Sequence, residues 1–173
     1  MPSTVSRENF RTRGKKGYVQ EFPEAATQSF VTNDFLKVHT DGTVLLPVTS
    51  GNTVDSGEVG QGLVRALEPA TGVTGSMISC EIIPQGQEFL GIVVNGTSQI
   101  DSVQTQIGDL LTLRYIASGS PAGVTTLMWG ADSNDSTNGI VKLSQFDRTE
   151  VIGITCNYHL CWMHLIDLAR FQN

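Results

Sequence analysis

Four residues able to bind a metal or do thiol chemistry stand close together near the C-terminus. They are Cys156, His159, Cys161 and His164, within "TCNYHLCWMHL". Thiolate and imidazole are favoured zinc ligands, and a zinc site needs them to converge on one point at ~2.0–2.3 Å. The spacing opposes that convergence. Alternate residues of a strand point to opposite faces, so Cys156 and His164 are expected on one face and His159 and Cys161 on the other. A helix over residues 160–171 would make Cys161 and His164 neighbours one turn apart and would keep a metal site open. The interleaved Tyr158, Leu160, Trp162, Leu165 and Ile166 favour a buried strand instead, where free cysteine is a small apolar filler. Packing is therefore expected, with no metal, no catalytic group and no cofactor. Redox chemistry is excluded by spacing: Cys-x4-Cys is not the Cys-x-x-Cys of a βα redox unit.

Other motifs fall short for similar reasons. The loop "DSNDSTNG" (132–139) offers oxygens at Asp132, Asn134, Ser136 and Asn138. Its sixth position is Thr137 and its twelfth Leu143, where a calcium loop needs Gly and Glu. There is no Gly-x-Ser-x-Gly elbow and no Gly-rich phosphate loop followed by Lys-Ser/Thr. Two alternatives stay open. One is a metal-assisted or cupin-like enzyme using Cys156, His159, Cys161 and His164. The other is a carbohydrate-binding β-module, with Trp129 beside the polar loop as its aromatic platform.

The elements that would position these residues are short. Charged residues make up only 16% of the 173, and glycine numbers 18, a composition suited to brief strands joined by small-residue turns. "FLKV" stops at "HTDG", where Asp41-Gly42 signals a hairpin, and Pro47 marks an edge or strand end. "SGNTVDSGEVGQG" (50–62) is expected as a loop. "SMISCEII", "EFLGIVV", "DLLTLRYI", "VTTLMW", "IVKL", "EVIGIT" and "YHLCWMHLI" continue a series of about ten strands at ~8–12-residue spacing. The fold class expected is all-β, a compact small β-barrel or sandwich with an extended N-terminal arm. No apolar h-region opens the chain, and the best apolar run, 151–169, is broken by Asn157, His159, His164 and Asp167, so no membrane partner is expected.

Charge divides the chain. Residues 1–16 hold Arg7, Arg11, Arg13, Lys15 and Lys16 against Glu8, a net +4, while residues 17–173 hold six bases and 16 acids, a net −10. Residues 1–24 are expected as an extended basic arm, disordered alone and ordered on a partner, and residues 25–173 as the β domain. The partner-binding residues expected in the arm are Arg7, Phe10, Arg11, Arg13, Lys15, Lys16 and Tyr18. One aromatic near the charges and an acidic body argue against nucleic acid and for a protein surface.

The polar leader followed by "EAATQSFVTNDFLKVHTDGTVLLP", then "CEIIPQGQEFLGIVVNG", "QIGDLLTLRY" and "GIVKLSQFDRTEVIGITCNYHLCWMHL", resembles the capsid decoration (cement) proteins of tailed bacteriophages. The resemblance implies an N-terminal arm, a β-barrel body and a place on the outer capsid surface, clamping neighbouring capsomers. It implies the major capsid protein as partner and a homo-oligomer, trimer or dimer. The family has no invariant catalytic or ligand motif, so no residue role is carried over from it.

Overall fold

The computed structural model describes residues 4, 6, 7, 10–96, 98–101, 106–134, 138–151 and 153–172. It is nearly all β, with 42% of residues in strands and 3% in helix, arranged as two packed sheets. The sequence-expected all-β class is what the structure shows.

The first sheet is built from β1 (Thr12–Arg13), β5 (Thr53–Val54), β8 (Glu88–Val94), β10 (Leu110–Ile116), β11 (Met128–Asp132), β12 (Val141–Phe146) and β14 (His159–Leu165). Its pairing order β8–β11–β10–β12–β14 returns to β8, because β14 also pairs antiparallel with β8. The sheet therefore closes into a five-stranded ring, which removes open edges. Only β8–β11 within that ring is parallel. A Cβ at Gly130 would lie 2.1 Å from the Ile92 carbonyl oxygen, so glycine is what lets β11 approach β8. Alternate side chains fill the ring, among them Phe89, Leu111, Leu113, Trp129, Cys161 and Met163, as the two-residue period of a strand requires.

The second sheet runs β2 (Val19–Pro23), β7 (Met77–Glu81), β6 (Leu63–Ala66), β3 (Phe35–Val38), β4 (Val44–Leu45). Its inner face buries Phe22, Leu36, Val64, Ile78 and Cys80. Gly42, at φ +84°, completes the β3–β4 turn as the Asp41-Gly42 pair predicts. Past Pro23 the chain bends and Glu24 bridges Val44, drawing the two outer strands together at one end. The sheets meet where Phe35 of β3 and Leu63 of β6 enter the cluster that fills the ring.

Several expectations are corrected. Residues 50–62 are not all loop, because Val54 and Val59 are buried and Val54 pairs with Leu113. β11 runs from Met128 to Asp132, so Asp132, the first residue of the loop expected over 132–139, belongs to a strand. No helix occupies 160–171. β14 runs to Leu165 and only a 3-10 turn, Asp167–Ala169, follows. Within residues 1–24, expected as an arm, the chain touches both sheets. Residues Thr12–Arg13 pair with β8 and Val19–Pro23 with β7, and Glu24 is fully buried, holding Thr71 and Gly72.

Candidate functional site

The leader crosses the seam between the sheets, and its residues divide into two sets. Arg7, Phe10 and Arg13 are spent on the protein's own body. The Arg7 guanidinium donates to the Leu127 carbonyl at 3.1 Å, to Asp34 at 3.2 Å and to the Tyr115 hydroxyl at 2.9 Å. Asp34 is almost wholly buried and also accepts from the Trp129 indole at 3.0 Å and the Val31 amide at 2.9 Å. Burial pushes the Asp34 carboxyl above its ordinary value, against the pull of these donors. Burial also raises Tyr115, to about 12, with the Asp34 charge adding to it. Phe10 stacks on Phe89 at 6.2 Å and meets Phe35 edge-on at 6.4 Å, one ring from each sheet. Arg13 pairs with Glu88 and lies 4.3 Å over the Trp162 ring. Arg65 and Glu81 form a further ion pair, and Glu81 takes the Gly17 amide at 2.9 Å.

Arg11, Lys15, Lys16 and Tyr18 form the second set, and all four are exposed. Lys15 and Lys16 make no ion pair among the described residues. Together with Tyr18, Pro84, Arg170 and Phe171 they line a cleft of about 650 Å³. Val19, next to Tyr18 in the chain, leaves more than half its surface in solvent. Of the seven arm residues expected to bind a partner, the structure brings Lys15, Lys16 and Tyr18 to one cleft, leaves Arg11 exposed, partly buries Arg7 and Phe10, and lays Arg13 along the outer face of the ring.

The Cys/His cluster is dispersed. On β14, His159 and Cys161 share the inward face and His164 the opposite one, so that expectation holds for the strand. Cys156 departs from it. It belongs to β13 (Thr155–Cys156), paired with β9 (Ile100–Asp101), and the turn at Asn157–Tyr158 returns it to His159. Its sulfur lies 3.4 Å from His159 Nδ1 and 3.2 Å from Nε2. Near-equal distances place the sulfur over the ring face, away from the in-plane lone pair that would take a thiol proton. The thiol instead meets the Tyr158 carbonyl at 2.9 Å. Glu150, which sequence inspection missed, lies 2.9 Å from His159 Nδ1, and both side chains are fully buried. Its other oxygen accepts the Leu160 amide at 3.0 Å. The group has the composition of a Cys–His–acid triad without the alignment that activates a nucleophile.

Comparison with known proteins adds no family. No protein-family model matches the chain, and no curated protein or solved structure is significantly similar to it.

The remaining candidates are accounted for by local bonding. Cys161 is buried, donates to the Gln145 carbonyl at 3.1 Å and is pushed by burial to about 12. His164 Nδ1 lies 2.8 Å from the hydroxyl of Ser144, a residue at the bulge in β12. Burial lowers His164 below its ordinary value, and Glu88 opposes that shift. No group of three or more Cys, His, Asp and Glu able to hold a metal occurs among the described residues. Asp132 is held by Arg114 and by the Gly96 and Asn134 amides. Ser136 lies outside the described residues. Trp129, expected as an exposed sugar platform, is buried against Tyr115 with its N–H on Asp34, which removes the observation that suggested a carbohydrate module.

Proposed function

We propose that the protein is a structural virion component that binds the outside of a phage capsid and clamps neighbouring capsomers, with the major capsid protein as its partner. The observation that carries this reading is the fixed, exposed set Lys15, Lys16, Tyr18 and Val19 on a body that is otherwise acidic. Contacts at Arg13 and Gly17 hold that set in place, so little ordering entropy opposes docking. The resemblance of the sequence to decoration proteins supplies the partner's identity. A dimer or trimer belongs to this reading, since closed symmetric assemblies suit symmetric lattice junctions.

Undecorated shells of the phage that encodes the chain provide the test. The protein should co-sediment with them and raise their melting temperature. A Lys15→Glu, Lys16→Glu variant should bind about tenfold or more weakly, and raised salt should mimic part of that loss, because exposed charges are screened beyond ~8 Å at physiological ionic strength. A protein that neither sediments with the shells nor stabilises them defeats this function.

A further inference from the structure

The second sheet has an edge that meets another described strand only at its C-terminal end, where Glu24 bridges Val44. β2 pairs only with β7, and the ladder is bracketed by Ile82 N–H donating to Tyr18 and Glu24 N–H donating to Ser76. Bonded pairs in an antiparallel ladder recur every second residue. Gln20 and Phe22 therefore direct their backbone groups at β7, opposite Cys80 and Ile78. Val19, Glu21 and Pro23 direct theirs away from it. On that side no described strand pairs with Val19 or Glu21. Pro23, lacking an N–H, sits at an outward position and ends the usable edge.

We propose that the β2 edge, together with the cleft at its N-terminal end, is a strand-addition site for an extended acidic segment of a partner protein. An added strand would exchange backbone hydrogen bonds with Val19 and Glu21 and continue toward Tyr18, where the cleft accepts side chains. The exposed apolar surface of Val19, at 60%, would be covered in the same step. Lys15 and Lys16 line the cleft and select for carboxylates. A second copy of this chain is the poorer occupant, because each copy carries −6 and copies of like charge repel. The proposal rests on the shell-binding reading only for which protein supplies the segment.

The probe is a short peptide of alternating valine and glutamate, with an alternating valine–lysine peptide as control. Amide exchange, followed residue by residue, should slow about tenfold or more at Val19 and Glu21 with the acidic peptide and stay unchanged with the basic one. A Val19→Pro, Glu21→Pro variant keeps the bonds to β7 and, having no N–H at either position, should bind the acidic peptide about tenfold or more weakly when affinity is titrated directly. Should those prolines disturb folding, Lys15→Glu, Lys16→Glu should weaken acidic-peptide protection and leave the native melting temperature intact. Equal capture of both peptides, or no protection at saturation, overturns the proposal. Concentration-dependent protection without peptide overturns it too, assigning the edge to a second copy. Shells separate the two readings. Shells bound equally by the proline variant sink the edge proposal and spare capsid binding. Peptide captured by a protein that ignores shells does the reverse.

Discussion

The leader and the closing strand β14 lie near opposite ends of the chain, and both are built into the fold by different means. β14 is a stave of the ring, with β12 on one side and β8 on the other. Its buried face is continuous: His159, Cys161, Met163 and Leu165 are all covered. The leader is held at separated points, Arg7, Phe10, Arg13 and Gly17, with exposed residues between them. Apolar burial along a strand gives stability in proportion to area. Point contacts give position at a smaller gain, and they leave the intervening residues facing outward. A segment rich in reactive residue types became core, and a segment rich in charge became a strap with a binding surface on its outer side.

The largest expected effect separates those two modes. Met163→Ala removes a fully buried side chain from the ring and should cost ~2–5 kcal/mol in denaturant unfolding. Phe10→Ala, taken from a partly buried ring between Phe35 and Phe89, should cost about 2 kcal/mol. A Phe10→Ala protein as stable as wild type would mean that the strap is superficial, and the comparison would collapse.

A smaller effect is read against pH, where two buried carboxylates have opposite signs. Burial acts to raise Glu81, but donation from Gln87, Arg65 and Gly17 outweighs it and holds Glu81 below its ordinary 4.5. Its contribution to stability is thus present above that value and lost as pH falls through the depressed one. Asp34 is raised above 3.8 by burial. Its contribution is full below 3.8 and is lost as pH rises through the raised value. Melting temperatures from about pH 3 to about pH 7 should show a shallower acid limb for Glu81→Gln and a steeper one for Asp34→Asn. Parallel profiles for both variants would show that neither carboxylate is placed as described.

The smallest effect concerns thiol reactivity and leaves stability alone. Burial pushes Cys80 and Cys161 to about 12, whereas Cys156 is only half-buried. A thiol reagent at mild alkaline pH should label one cysteine quickly, and Cys156→Ser should abolish that phase. Fast labelling of Cys161 would place β14 nearer the surface than the ring allows.

Patterns confined to a few neighbouring residues were legible in the sequence. The alternation Leu111, Leu113, Tyr115 marked β10, and Asp41-Gly42 marked the β3–β4 turn. The opposed faces of Cys161 and His164 followed from the two-residue period. What the sequence hid depended on distant partners. Arg7 reads as a solvated charge until Asp34 and Tyr115 are brought beside it. Trp129 reads as exposed because polar residues follow it, yet Asp34 supplies the acceptor that allows its indole to be buried. Gly130 and Asp132 look like turn residues, and pairing with β10 on one side and β8 on the other makes them strand. Glu150 lies nine residues before His159 and meets it because the chain reverses between β12 and β14.

The closure of the ring also bears on the order in which the protein can fold as it is made. Every strand of the second sheet comes from residues 19–81, so that sheet has all its strands before the ring has more than one complete stave. The ring begins with β8 and cannot close until β14 has been synthesised, since β14 supplies the pairings to both β12 and β8. Until then β8 and β12 present unpaired edges, which are sites of misassociation in incomplete chains. Distant pairings of this kind also slow folding. A ribosome-bound intermediate would therefore hold a formed second sheet beside an open first one, with its apolar staves exposed to chaperones until the last strand arrives.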